Sequence, residues 1–398
     1  MLMIRLNKNI AKRLINWLRL VQSFRDIFIL FLFSILLFFA GGCSSASKKQ
    51  VVTPLPQETY SEPAVKPVVV QNSETNKAAV IEKPQTVVKP ISPITTNILS
   101  KPKPVLTQLD SITNESITIS YEKNNGFSQC VAKNEGRFLV VYSDKQYVNY
   151  DGIKIDLGYI PRWENGRCYL NEAEIRSTIM PLLKPSIKYF PKTTTVVIDP
   201  GHGGSDPGST SIYNRKPEKD YTLDIARRLY SLLTAGGWNV LLTRTNDVRV
   251  ERASRVAISE KAGANIFISI HLNYFEKSKS VSGIETYCLT PTGLPSGFNR
   301  GFVDNVENVY SNNGYDRQNI LLAAQIQSAL VRGLNSIDRG VKRARFLEVL
   351  QNQKCAAVLI EAGFLSNVRE ATLLDSEQHR QMIAESIYKG IVKFCGSN

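Results

Sequence analysis

The stretch Thr193-Thr-Thr-Val-Val-Ile-Asp-Pro-Gly-His-Gly-Gly-Ser-Asp206 decides the fold. Thr193–Ile198 shows no polar alternation and reads as a strand buried on both faces, ending at a Pro/Gly turn that carries a histidine. Tyr221–Thr234 then has helical spacing, with Leu223, Ala226, Leu229, Leu232 and Leu233 on one side. Trp238–Thr243 reads as a second strand, Arg252–Ala262 as a helix and Ile266–Ile270 as a third strand. Gly283–Leu289 and Ala356–Ile360 complete five strands. Strands alternating with helices predict an α/β domain over 191–398, a mainly parallel sheet flanked by helices on both faces. Ligands of such sheets gather at the C-terminal ends of the strands.

The chemistry-bearing side chains fall there. His202 follows the first strand, His271 the third and Glu361 the fifth, while Glu218 opens the long helix. The chain has 3 histidines, and two of them stand at strand ends of this kind. Two histidines and a carboxylate make the three-ligand N/O set of a catalytic zinc, which leaves a position for water. A fourth carboxylate is then free to transfer protons. The HExxH spacing, a CxxC pair and the P-loop pattern of Gly, Lys and Ser/Thr are all absent.

These residues resemble the zinc-dependent type 3 N-acetylmuramoyl-L-alanine amidases. The opening motif is VVIDPGHGGSDPG, and Glu218-Lys219-Asp220 with Leu223-Asp224-Ile225-Ala226 is similar to the second. Ser269-Ile270-His271-Leu272-Asn273 corresponds to the third. Arg339-Gly340-Val341-Lys342, Phe346 and Leu359–Asn367 correspond to the last. The resemblance covers about 193–395 in the family's order. It implies that His202, Glu218 and His271 bind one zinc ion and that Glu361 is the catalytic base. It also implies hydrolysis of the amide between N-acetylmuramic acid and L-alanine in peptidoglycan. Asp199 and Asn273 are candidates for orienting a ligand histidine. The polar stretch between Leu289 and Leu321 is read as a substrate-contacting loop. Some family members carry a helix here that covers the site until an activator protein moves it, and Phe302–Val309 is the one segment with a helical stripe. His379 is read as a packing or surface histidine. Two other readings stand beside the amidase: a zinc peptidase acting on the stem peptide, and a non-catalytic wall-binding protein.

N-terminal to the amidase-like region the sequence changes character three times. Arg5, Lys8, Lys12, Arg13, Arg19 and Arg25 precede an uncharged apolar run, Ile27–Ala40, of about 14 residues. That length suits a signal peptide over 1–42 rather than a membrane span of roughly 20 residues. The run ends in Ala40-Gly41-Gly42-Cys43, which resembles a bacterial lipobox and implies acylation of Cys43. Export to the periplasm or cell envelope, with a lipid or signal anchor, follows from it. Residues 43–105 are rich in Pro, Lys and Val without any period, so they read as a disordered tether. Residues 106–190 read as a small β-rich module, with strands at Ser116–Tyr121, Phe138–Tyr142, Tyr147–Tyr150 and Ile153–Leu157. Asn124-Asn125-Gly126, Asp151-Gly152 and Asn165-Gly166 supply turns, and Asn171–Leu183 reads as a short helix. Asp151–Leu183 resembles the small N-terminal domain of copper amine oxidases, but no histidine precedes His202 to bind copper. Cys130 and Cys168 both fall in the module and are a candidate disulfide.

The formal charge of +14 is no nucleic-acid signature, because most of it lies outside the body. Residues 1–42 carry a net +5 and residues 44–105 a net +4, while 106–398 hold 35 basic and 30 acidic residues. No basic stripe with interleaved aromatics is present there.

Overall fold

The computed structural model describes residues 105–124, 127–185, 194–297, 301 and 303–396. The expected signal segment, Cys43 and residues 44–104 of the expected tether lie outside them.

The β-rich region begins with β1 (Leu106–Gln108), β2 (Thr118–Asn124), β3 (Phe127–Asn134), β4 (Arg137–Tyr142), β5 (Tyr147–Tyr150) and β6 (Ile153–Asp156). β7 (Arg162–Glu164) and β8 (Arg167–Asn171) follow, then a helical segment, α1, over residues 172–183 with a π turn at Ile175–Ile179. β2 to β6 form an antiparallel meander. Two of the expected turns close tight hairpins, one between β5 and β6 of the meander and one between β7 and β8, which form a separate three-stranded sheet with β1. Asp151 and Gly152 have φ of 48° and 86°, and Asn165 and Gly166 have 49° and 74°. Both residues at positive φ define the turn whose twist matches the strands it joins. Asn125 and Gly126 of the remaining expected turn lie outside the described residues. Cys130 and Cys168 are buried free thiols, not a disulfide.

The second half comprises β9 (Thr195–Pro200), α2 (Glu218–Ala235), β10 (Asn239–Leu242), α3 (Arg252–Lys261), β11 (Ile266–Asn273) and β12 (Ile284–Cys288). It continues with α4 (Asp316–Leu334), β13 (Asp338–Arg343), α5 (Glu348–Gln351), β14 (Ala356–Phe364), α6 (Val368–Asp375) and α7 (Glu377–Phe394). The order β10-β9-β11-β14-β12-β13 is parallel throughout except for the antiparallel pair β12–β14. Val196 and Ile198 face the core shared with α2, α4 and α7, while Val197 joins Phe267, Tyr287, Ala357 and Leu359 on the other face. Burial on both faces explains why these strands carry continuous apolar runs.

The sheet does not stop at the boundary expected near residue 190. β6 pairs with β13 through Ile155 and Val341, so the meander extends the α/β sheet to eleven strands. The junction is also polar. Arg343 of β13, 2% exposed, reaches Glu174 of α1, 1% exposed, at 3.5 Å. Lys342 pairs with Asp156 at 2.9 Å, and Asp338 accepts a hydrogen bond from the Lys154 amide at 2.8 Å. β13 shows no apolar run in the sequence, because four of the six residues of Asp338–Arg343 are charged and flank a single Gly-Val pair.

Between β12 and α4 the described residues contain a 3₁₀ turn at Ser311–Tyr315 and no α-helix. Residues 303–309, where a helical stripe was read, are irregular, and Phe302 lies outside the described residues. Asp304 anchors this segment by accepting hydrogen bonds from Arg345 and from the Ser296 amide.

Candidate metal centre and active site

β9 delivers the chain to the rim, and the Gly201 amide then bonds to the Ile270 carbonyl at 3.0 Å, tying the loop to β11. His202 takes φ of 60°, a left-handed conformation that costs energy in a non-glycine residue and is held only by its surroundings. Here the surroundings are two buried arginines. Arg255 donates to the His202 carbonyl at 2.9 Å, and Arg244 donates to the Gly201 carbonyl at 2.8 Å. The chain then doubles back, Gly203 and Asp206 exchanging two main-chain hydrogen bonds, so that Asp206 Oδ2 lies 3.0 Å from His202 Nδ1.

Glu218, the first residue of α2, is 2% exposed. Its Oε1 lies 3.1 Å from His202 Nε2 and 3.1 Å from His271 Nδ1. It also accepts the Leu272 amide at 3.0 Å, while Oε2 accepts the Ser209 amide at 2.9 Å. Burial alone would raise the proton affinity of this carboxyl, but hydrogen bonds with His202 and His271 overturn that and hold it far below the usual carboxylate range. Burial likewise lowers the His202 pKa, and Glu218 and Asp206 more than reverse it. The two imidazoles meet edge-on with ring centroids 4.8 Å apart. One ligand atom from each of His202, Glu218 and His271 lies within 4.8 Å of the others. A carboxylate wedged between two imidazole nitrogens fits a divalent cation with N₂O ligation. The packing leaves no spare room: a Cβ on Gly208 would sit 2.6 Å from the His202 ring, and one on Gly201 would sit 2.4 Å from the His271 ring.

Glu361 lies in the middle of β14, 8% exposed, directly beside His271 of β11 and directly across from Glu285 of β12. Paired positions on neighbouring strands face the same way, so all four expected groups come to one rim. The two expected orienting residues have other partners. Asp199, fully buried, accepts from Thr243 at 2.6 Å, Arg255 at 2.6 Å and Ser269 at 2.8 Å. It acts on His202 through Arg255, which clamps the loop carbonyl. Asn273 donates to Glu285, which also accepts from Arg339 at 3.1 Å and Tyr287 at 3.1 Å. The carboxylate beside the other ring nitrogen of His202, Nδ1, is Asp206, which went unremarked in the sequence although it lies four residues after His202. Arg244, Arg255 and Glu285 were also missed. Burial pushes Arg244 down to about 10, helped by the field of Arg255. His379 stands in the first turn of α7, and burial lowers its pKa.

The rim opens on a cavity of about 380 Å³ whose lining includes His202, His271, Arg249, Arg252 and Glu348.

The chain was compared with known proteins on this background. The family model described as N-acetylmuramoyl-L-alanine amidase matches residues 196–393. The N-acetylmuramoyl-L-alanine amidase LytC of Bacillus subtilis is 34% identical over 200 residues, covering 50% of this chain and 35% of that protein. The germination-specific N-acetylmuramoyl-L-alanine amidase of Bacillus subtilis is 31% identical over 213 residues, covering 50% of this chain and 78% of the relative. The solved structure of an N-acetylmuramoyl-L-alanine amidase from Clostridium difficile 630 matches 52% of this chain and 100% of its own, at 30% identity and a TM-score of 0.44. The chain thus spans about a third of LytC but most of the germination-specific enzyme. The matched residues run from β9 to α7 and contain both histidines and both glutamates of the rim, and the chain belongs to the N-acetylmuramoyl-L-alanine amidase family.

Proposed function

We propose that the chain hydrolyses the amide between N-acetylmuramic acid and L-alanine of peptidoglycan, with one zinc ion on His202, Glu218 and His271 and with Glu361 as base. The observation that carries this reading is the convergence of one ligand atom from each of the three residues within 4.8 Å, on a carboxylate already ionised by its neighbours. Zinc held there would polarise the scissile carbonyl and acidify a water. Glu361 would accept the proton of the attacking water and return it to the departing alanine amine, a contribution of typically about 10²–10⁴-fold. Asp206 keeps His202 in one orientation, as carboxylates beside ligand histidines do. A stem-peptide peptidase would use the same four groups; family membership favours the amidase. A non-catalytic wall-binding role is disfavoured by the presence of all four.

Acylation of Cys43, export to the envelope and a tether over 43–105 complete the proposal, supported by the sequence pattern alone. Among the described residues no helix is long and apolar enough to cross a membrane. The segment between Leu289 and Leu321 acts as a substrate-contacting loop, and an activator protein remains a proposed partner. The variants Glu218→Ala, His202→Ala and His271→Ala should lose zinc by elemental analysis. Glu361→Ala should keep near-stoichiometric zinc and release almost no stem peptide. Loss of zinc by Glu361→Ala with retention by Glu218→Ala would reverse the two roles.

A further inference from the structure

The cavity beside the rim touches His202 and His271, two of the four groups that the proposed reaction uses, and most of its wall is formed by other residues. It runs from His202 and His271 past Arg249 and Arg252 to Glu348 at the start of α5. Glu348 also lines a second cavity of about 150 Å³, bordered by Asn308 and Tyr310 of the loop before α4. The two cavities therefore share a wall residue, with the candidate metal ligands His202 and His271 on the first and the loop residues Asn308 and Tyr310 on the second.

Two guanidinium groups stand on this path. Among the described residues Arg249 pairs with Glu251 at 2.7 Å, with side chains 55% and 65% exposed. Arg252 reaches Glu348 at 3.4 Å, with side chains 69% and 58% exposed. Exposed pairs of this kind contribute little to stability, so their partners exchange readily. A carboxylate arriving with the substrate offers Arg252 a paired, charge-assisted contact that its long pair with Glu348 does not match, and it can take Arg249 from an exposed partner. Arg255, which lines the same cavity, is committed to Asp199 and the loop carbonyls and is not available for this.

We propose that this groove takes the stem peptide of the substrate, with Arg249 and Arg252 binding a peptide carboxylate. The inference rests on the amidase reading and adds to it a direction: peptide along the α3–α5 groove, sugar on the opposite side of the metal site. Charge separates the two parts of the substrate. A strand of N-acetylated sugars is uncharged, whereas a stem peptide carries carboxylates past the cleaved bond. A residue spans about 3.3–3.6 Å, so a carboxylate on the second residue lies roughly 7 Å along the peptide. Glu348 competes with that carboxylate for Arg252.

The test uses the full chain with zinc and two synthetic muramyl peptides, identical except that the second residue bears a free carboxylate in one and a carboxamide in the other. Wild type should favour the free acid on the order of tenfold, the worth of one charge-assisted contact, and should do so in KM. The double variant Arg249→Ala/Arg252→Ala should bring the ratio to about one, by raising KM for the acid with zinc content intact. Glu348→Gln should move the other way and lower KM for the acid several-fold. Equal handling of the two peptides by wild type overturns the inference while leaving the amidase reading standing. So does an undiminished preference in the double variant, or an equal loss on both peptides, which would put the sugar in the groove. Cleavage of neither peptide, with zinc bound, overturns the amidase reading and this inference with it.

Discussion

Replacing Glu174 by alanine should destabilise the whole α/β body although the residue lies in the β-rich region far from the rim in sequence. Glu174 Oε1 accepts the Gly158 amide at 2.5 Å, and Oε2 accepts the Thr178 hydroxyl at 2.7 Å and Arg343 Nη1 at 3.5 Å. Arg343 also donates to Thr178, and the guanidinium is 2% exposed. The alanine variant therefore leaves a buried cation facing a cavity, together with an unanswered amide. Breaking one side of a buried pair costs about 3–5 kcal/mol. At roughly 2–4 °C per kcal/mol for a body of this size, Tm should fall by about 10 °C. The assay is thermal unfolding of the full chain by circular dichroism at fixed zinc. Glu172→Ala, an exposed position in the same helical segment, should shift Tm by no more than a degree or two. Because a matched apolar replacement of both partners is often neutral, Glu174→Leu with Arg343→Met should recover most of the loss. A Tm within about 2 °C of wild type for Glu174→Ala would refute the view that the β-rich region and the α/β sheet stand or fall together.

Three further outcomes are expected. Gly208→Ala places a methyl 2.6 Å from the His202 ring and 2.8 Å from Glu218 Oε2 at a φ of +66°, so zinc affinity measured against a competing chelator should drop by about 10–100-fold. Burial raises the Asp316 carboxyl from 3.8 to about 6, against a hydrogen bond from Asn313. The folded state thus holds this proton more tightly than the unfolded chain, and stability declines as pH rises from about 4 to about 6 and then levels. Asp316→Asn should accordingly raise stability by on the order of 1–2 kcal/mol at pH 8 and by almost nothing at pH 4, read from denaturant midpoints. Cys43→Ala should release the protein from membranes or leave the precursor uncleaved; unchanged fractionation and unchanged size would contradict acylation.

Much of this was legible because buried strands have a plain signature. Val196–Ile198, Ile266–Ile270 and Ala356–Ile360 are buried on both faces and almost wholly apolar; His271 and Glu361 end two of these runs directly, and His202 follows the first after the Asp199-Pro200-Gly201 turn. His202, His271 and Glu361 could thus be placed together from sequence position alone. What was not legible depends on contacts between distant segments. Asp199 has the position of an orienting carboxylate, yet its partner is Arg255, 56 residues away. Asp206 reaches His202 only because the Gly203–Asp206 turn folds back. Glu285 became visible only with the β12–β14 register, which sets it opposite Glu361. The continuity of the sheet across β6 and β13 rests on Ile155 and Val341, a pairing that no local pattern announces.

The central claim is that the bond cut is the amide between the sugar's lactyl group and L-alanine. Mass spectrometry of the fragments that the zinc-loaded full chain releases from purified peptidoglycan reads that bond directly. The account predicts intact stem peptides with a free alanine amine, leaving sugars that carry an unsubstituted lactyl carboxylate. Sugar-linked, shortened peptides would contradict it and point to a peptidase on the same metal-binding rim.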